Sequence, residues 1–424
     1  MRQMKDSGIE WIGEIPQAWD VLKTKYCFRY KKEIAGINSD KFDRLALTMQ
    51  NVIKRAKDDS NGLQPEKFET YQILRRNELV FKLIDLQNVS TSRVGLSPYD
   101  GIVSPAYIII TPKSNILAKY AEKYYYTLWK NQIFNALGDD GVRSNLGKDD
   151  LLNIPIPVPP LAEQERIAEF LDAKCAEVDA LAGEIKEQIA TLEEYKRSVI
   201  TEAVTKGLDA SVPMKDSGIE WIGEIPQAWD VRKGKYLFAQ RNERSNNVKL
   251  QLLSPTQNYG VIPQDEYERL SGMSAVKLNE NINLKALKTI HKGDYCISLR
   301  SFQGGFEYSM NEGVISPAYQ VFYPTVKISG GYYKYLFKDK GFISVINSYA
   351  MSLRDGKNIS FEQFGNTVIP VPPLAEQEKI TDFLDAKCAK VDALIAEKQN
   401  QLATLEEYKK SVIFEYVTGK KEVV

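Results

Sequence analysis

Residues 4–21 (MKDSGIEWIGEIPQAWDV) recur without a change at 214–231, and this internal repeat constrains the fold more than any other feature of the chain. A second matched pair is 156–181 and 369–394, IPVPPLAEQERIAEFLDAKCAEVDAL against IPVPPLAEQEKITDFLDAKCAKVDAL. TLEEYKRSVI at 191–200 and TLEEYKKSVI at 404–413 complete the set. The offset is 210 residues at the front and 213 at the back, so one unit of about that length occurs twice in 424 residues. Residues 22–155 and 232–368 match only at scattered points, such as Gly101 with SPAY at 104–107 and Gly313 with SPAY at 316–319. A repeated frame with diverged filling predicts a pseudo-twofold object that presents two unlike surfaces.

Charge follows these boundaries. The whole chain is neutral, but residues 1–155 and 214–368 each carry +4, whereas 156–213 carries −6 and 369–424 carries −2. Two mildly basic domains joined by acidic connectors are therefore expected. A charge of this size is weak support for nucleic acid by itself.

Each connector opens with prolines (Pro155, Pro157, Pro159, Pro160; Pro370, Pro372, Pro373). Proline is excluded from a helix interior but is well placed just before one. Helices over about 161–206 and 374–417 follow, with Glu163 and Glu165 in the first turns and Lys206 and Gly207 at the far end of the first. Leu171, Val178, Ile185, Leu192 and Val199 fall seven apart, with Leu181 and Tyr195 as further seam positions; Leu384, Val391, Leu405 and Val412 repeat the spacing, with Leu394 and Tyr408. Such heptads predict a coiled coil, and two in one chain predict antiparallel packing, each helix roughly 65–70 Å long. Gly183, Gln188, Lys398 and Gln401 interrupt the apolar series.

The filling reads as mixed α/β. Residues 78–83, 102–111, 294–299 and 314–323 are β-branched and aromatic runs that predict strands, while 118–137 and 331–349 predict helices whose aromatic residues face a core. The expected division is 1–155 and 214–368 as two α/β domains, with 156–213 and 369–424 as helical connectors: an α+β chain with two long antiparallel coiled-coil helices.

With IPQAW at 15–19 and 225–229, PLAEQE at each helix start, and LEEYK before each helix end, the chain resembles the specificity subunits of type I restriction-modification systems over its whole length. That resemblance implies two target-recognition domains, each reading one half of an asymmetric, bipartite double-stranded DNA target, with the helices setting the unread spacer. It implies a non-catalytic subunit that holds two modification (methyltransferase) subunits and recruits restriction (translocase-nuclease) subunits, with S-adenosylmethionine, ATP and Mg²⁺ bound by those partners and no cofactor in this chain. The differing alternative is a coiled-coil scaffold whose domains bind proteins without DNA specificity; steep loss of affinity with salt separates DNA from apolar docking.

Base edges are read by Arg, Lys, Asn or Gln on a rigid scaffold, while cations on phosphates position it. The DNA-contact candidates are Lys54, Arg55, Lys57, Arg75, Arg76, Arg93 and Arg143 in the first domain, and Arg241, Arg244, Arg300, Gln303 and Arg354 in the second. Arg93 and Arg300 rank first because each lies in a polar, turn-prone stretch shortly before SPAY.

Enzyme chemistry finds little footing. SPAY resembles in outline the amino-methyltransferase tetrad, but its second proline is Ala and no glycine-rich cofactor loop precedes it. Tyr107 and Tyr319 are therefore expected to pack within a repeated strand. No GxxxxGK(S/T) phosphate loop occurs, and acidic residues such as Glu163, Glu165, Glu169, Glu193 and Glu194 fall on helix faces, as solvated or docking surface. Cys27, Cys175, Cys296 and Cys388 have no CxxC spacing, and the single histidine, His291, is expected to be structural. The N-terminus lacks an apolar signal core and no long apolar window occurs, so a soluble, cytoplasmic protein without metal or membrane span is expected.

Overall fold

The computed structural model describes residues 2–59, 67–88, 90, 93–138, 144–245, 250–273, 286–297, 305–350 and 359–423. The chain divides into two units, Met1–Lys186 with Gln399–Val424, and Glu187–Lys398. The cuts fall inside the long helices, among the positions that interrupt their apolar series. No described helix is long and apolar enough to cross a membrane.

The first unit runs β1 (Met4–Ile9), β2 (Gly13–Pro16), β3 (Asp20–Lys23), α1 (Thr24–Cys27), β4 (Phe28–Lys31), β5 (Arg44–Leu47) and β6 (Val52–Arg55). It continues through β7 (Gln72–Leu74), β8 (Leu79–Lys82), β9 (Arg93–Leu96), β10 (Gly101–Val103) and β11 (Ile108–Pro112). α2 (Ala118–Lys130), α3 (Ile133–Leu137), α4 (Lys148–Asn153) and β12 (Pro155–Val158) lead into the long helix α5 (Leu161–Lys206). The second unit repeats the order with β13 (Met214–Ile219), β14 (Gly223–Pro226), β15 (Asp230–Lys233), β16 (Phe238–Arg241), β17 (Leu253–Thr256), β18 (Gly260–Pro263) and α6 (Gln264–Ser271). β19 (Lys288–Ile290), β20 (Tyr295–Ile297), β21 (Phe306–Tyr308), β22 (Gly313–Ile315) and β23 (Gln320–Pro324) follow. α7 (Gly330–Leu336), α8 (Lys340–Ala350), α9 (Phe361–Asn366), β24 (Val368–Val371) and α10 (Leu374–Val417) close the chain.

The diverged fillings share one topology. The sheet β4-β11-β8-β9 of the first unit corresponds to β16-β23-β20-β21 of the second. The other sheet, β6-β5-β10-β7, is matched by the pairs β17-β18 and β19-β22, which a parallel bridge between Leu252 and Val314 connects as Ile102 pairs in parallel with Arg44 in the first unit. Gly101 and Gly313 recur for a steric reason. A Cβ on Gly101 would lie 2.5 Å from the Asp43 carbonyl oxygen and 2.6 Å from Leu45 Cγ, and one on Gly313 would meet the Gln251 carbonyl oxygen and lie 2.8 Å from Leu253 Cγ.

Four expected elements are subdivided. The run 102–111 is two strands in two different sheets, with SPAY as the turn between them; the same holds for 314–323. Ser104 and Ser316 accept from the amides of Tyr107 and Tyr319, each at 3.2 Å, and the prolines between offer no ladder donor. Tyr107 and Tyr319 thus stand in a turn, not in a strand, though each still packs against a small apolar cluster. The expected helix over 118–137 breaks at Gln132, which is left-handed (φ 57°), and that over 331–349 breaks before Asp339, whose carboxylate accepts from the amides of Gly341 and Phe342 to start α8. Tyr120, Tyr124, Tyr125, Tyr332 and Tyr333 are core residues.

The repeated frame is the fastening. Trp19 and Trp229 are fully buried. The PLAEQ glutamines, Gln164 and Gln377, are buried and bind the carbonyls of Pro159 and Pro372, each at 2.8 Å, while accepting from the amides of Leu117 and Ser329. Tyr120 and Tyr332 donate to carbonyls in the last turns of the long helices, Val417 at 3.0 Å and Val204 at 2.8 Å. Gly207 (φ 79°) and Gly419 (φ 70°) end the helices in the left-handed region and rest on Trp229 and Trp19 respectively. Glu163 is not solvated as expected: it pairs with Arg2 and accepts from the Trp19 indole at 3.0 Å. In the second copy Val212 replaces that arginine, and the Trp229 indole has no partner among the described residues.

Within each unit the two long helices run antiparallel. In the first, Asp179 meets Lys409 at 2.7 Å and Phe170 meets Tyr416; in the second, Asp392 meets Lys196 at 2.7 Å. Leu171, Val178, Ile185, Leu384, Val391 and Val412 are buried, and Leu192, Val199 and Leu405 are half-buried. Leu181, Tyr195, Leu394 and Tyr408 are exposed, at 45, 44, 46 and 45%, contrary to the seam expected for them. The covered stripe lies on the other side of the heptad series, through Cys175 and Cys388 four residues after Leu171 and Leu384.

Candidate nucleic-acid interface

In the first unit the β5–β6 hairpin presents Lys54 and Arg55, with Lys57 just beyond it. Lys54 pairs with Asp43 at 2.6 Å, both side chains 56% exposed, and lies over the Tyr99 ring. That hydrogen-bonded carboxylate holds the Lys54 ammonium above its usual range. Arg55 pairs through Nε with Asp59 at 2.6 Å, and Lys57 donates to the Ser39 and Asp40 carbonyls. Arg75 and Arg76 occupy the turn between β7 and β8. Arg75 forks onto both oxygens of Glu33 at 3.0 Å, and the Arg76 amide donates to Asp100 at 2.8 Å.

Arg93 begins β9 and donates to the carbonyls of Leu47 and Ser90, at 3.1 and 2.8 Å. Its register partner across β8–β9 is Lys82. Burial, then Arg93, pulls the Lys82 ammonium below its usual range, against the opposing pull of Asp85. Like charges opposed across a ladder are destabilising unless an anion meets them. No local pattern in the sequence singles out Lys82, because only the strand register brings it to Arg93.

The second unit uses its candidates differently. Arg241 donates from Nε and Nη2 to Asp294, at 2.8 and 3.1 Å, its third nitrogen lies 3.5 Å from Glu243, and the guanidinium sits 4.4 Å over Tyr323. This fork is filled from within the protein. Arg244 donates to the Ala286 carbonyl at 3.2 Å beside Lys288, which β19 supplies and which binds the Tyr319 carbonyl at 2.7 Å. Gln72 makes the corresponding bond to the Tyr107 carbonyl at 2.8 Å in the first unit. Arg143, Arg300, Gln303 and Arg354 lie outside the described residues.

His291 lies between Glu243 (3.1 Å) and Glu312 (3.4 Å). All four cysteines are free and buried, and burial pushes the Cys27 thiol up to about 11. Among the described residues no group of three or more His, Cys, Asp or Glu could hold a metal ion. Exposed cations in weak pairs, on two scaffolds of one topology, suit anion and base-edge contact, since an exposed pair is worth only about 0–1 kcal/mol and exchanges readily for a ligand.

The family model for the type I restriction modification DNA specificity domain matches residues 20–191 and 221–404, once per unit of the repeat. The chain belongs to this family. It is 27% identical over 340 residues to the type I restriction enzyme MjaVIII specificity subunit of Methanocaldococcus jannaschii, covering 76% of this chain and 75% of the relative. It is 22% identical over 451 residues to the type I restriction enzyme EcoKI specificity subunit of Escherichia coli, covering 96% of this chain and 90% of the relative. The fold resembles a chain solved in a study of assembly and conformational transition of a type I restriction-modification system, with a TM-score of 0.65 at 16% identity over 96% of this chain and 99% of that one. Among specificity subunits, recognition of DNA is the family property, and the two matched segments carry the two diverged fillings.

Proposed function

We propose that this chain reads an asymmetric, bipartite double-stranded DNA sequence, one half by each diverged domain, and carries two modification subunits and the restriction subunits to it. The chain itself performs no chemistry in this reading; methyl transfer with S-adenosylmethionine, and ATP- and Mg²⁺-dependent translocation and cleavage, belong to the partners. Acting on chromosomal DNA, it works in the cytoplasm.

One observation carries the proposal. Two units share strand order, fastening glutamines, tryptophans and tyrosines, yet their fillings match in sequence only at scattered points. Equal scaffolds with unequal surfaces fit one target read in two unlike parts. Lys54, Arg55, Lys57, Arg75, Arg76, Arg93 and Arg143, and Arg244, Arg300, Gln303 and Arg354, remain the proposed contacts, with Lys82 added; Arg241 serves as a support.

The test is exchange of residues 22–155 for the corresponding segment of another family member, followed by mapping of methylated adenines in the host genome. One half of the methylated sequence should change and the other stay. Change in both halves, or in neither, overturns the reading.

A further inference from the structure

Besides the SPAY turn, the diverged filling keeps another exposed motif unchanged between the units. Lys23, Lys25 and Tyr26 in the first unit recur as Lys233, Lys235 and Tyr236 in the second, although the buried neighbours between and beyond them change from Thr24 and Cys27 to Gly234 and Leu237. Packing explains retention inside a protein and drift outside it. Here the order is inverted, with the tyrosines 58 and 62% exposed.

The pose is also retained. The amides of Thr24 and Gly234 both donate at 2.9 Å to the segment between the short helix and the strand that precede the long helix, at Ile154 and Thr367. Lys25 Nζ lies 5.6 Å over the Tyr26 ring and 3.1 Å from Asn153 Oδ1; Lys235 Nζ lies 5.6 Å over the Tyr236 ring and 3.2 Å from Asn366 Oδ1. Among the described residues none of the four lysines forms an ion pair with a carboxylate, and neither phenol hydroxyl has a hydrogen-bond partner. In the first unit Lys113 adds another cation, bonded to the Lys25 carbonyl at 2.7 Å.

We propose that Lys25–Tyr26 and Lys235–Tyr236 are two copies of a clamp that holds the phosphate backbone of duplex DNA without reading its bases. The inference rests on the DNA-reading function proposed above. The two halves of an asymmetric target differ in their bases but present the same phosphates, so a backbone contact, unlike a base contact, is free to stay alike in both domains; a face that docks two copies of one modification subunit would stay alike too, and the experiment separates the two. An ammonium with unused donors beside a free phenol hydroxyl suits a phosphodiester oxygen.

The experiment uses the complex with its modification subunits, titrated between about 50 and 200 mM salt. One duplex carries the methylated sequence found in the genome, and a second of equal length has both halves scrambled. Lys25→Ala with Lys235→Ala should weaken both duplexes by the same factor and lower the slope of log K against log salt by about two, near 0.9 for each phosphate no longer neutralised. Tyr26→Phe with Tyr236→Phe should weaken both equally with little change of slope. An unchanged slope, weakening confined to the methylated sequence, or release of the modification subunits with DNA affinity intact would overturn the proposal. If the unaltered complex shows no preference between the duplexes while the slope still falls, the clamp stands and the sequence-reading function fails.

Discussion

Both carboxylate oxygens of Asp294 are held by Arg241, through Nε at 2.8 Å and Nη2 at 3.1 Å, with Asp294 itself only 3% exposed. Lys31 and Glu78 occupy the same places in the first unit, 3.4 Å apart, with Glu78 buried. Each pair ties the end of one strand to the start of its sheet neighbour but one.

Arg241→Ala should therefore act on stability. Leaving the Asp294 charge buried without a counter-ion, with the His291 amide at 2.9 Å still donating to it, costs about 3–5 kcal/mol, whereas Arg75→Ala, at an exposed pair with Glu33, costs no more than about 1 kcal/mol. Urea unfolding followed by circular dichroism separates the two; equal midpoints for both variants would contradict the distinction.

The glycines divide in the same way. Gly101→Ala and Gly313→Ala each push a methyl group into a neighbouring strand and should destabilise by about 1–3 kcal/mol. Gly183, inside α5 with nothing within 4 Å of an added Cβ, should gain roughly 0.5–1 kcal/mol on replacement by Ala. Thermal melting of the three variants checks both signs.

Glu307 faces Lys338 at 2.6 Å, yet burial outweighs the lysine and pushes its carboxyl up to about 7. A folded-state value above the ordinary carboxylate range means that the folded state binds the proton more tightly. Stability should then decline as pH rises from about 4.5 to 7 and level off above, and Glu307→Gln should flatten this dependence. Unfolding midpoints across that range provide the comparison.

The helix pairs Asp179–Lys409 and Asp392–Lys196 join the VDAL and LEEYK segments of the repeated frame. Lys409→Asp should destabilise modestly, and Asp179→Lys in the same chain should restore most of the loss. A double-mutant cycle should return a coupling of about 0.2–1 kcal/mol that shrinks at high salt.

Much of the architecture is legible in the sequence. Prolines, heptads and terminal glycines are local signals, so the long helices begin and end where spacing places them. SPAY is not legible as a turn, because continuous apolar runs on both sides look the same whether they enter one sheet or two. The side of the heptad series that is covered is also hidden: Leu181 is no less apolar than Cys175, and only the partner helix chooses between them.

By itself, then, the amino-acid order determined a duplicated frame, two unlike basic fillings and the family, since repeats, spacing and composition are properties of the chain alone. The tertiary structure decided which cations are spoken for. Arg241 and Arg75 are the same residue type in similar polar surroundings, and their difference lies in whether the facing carboxylate is buried. That depends on strands brought together from more than forty residues away, where no local pattern reaches.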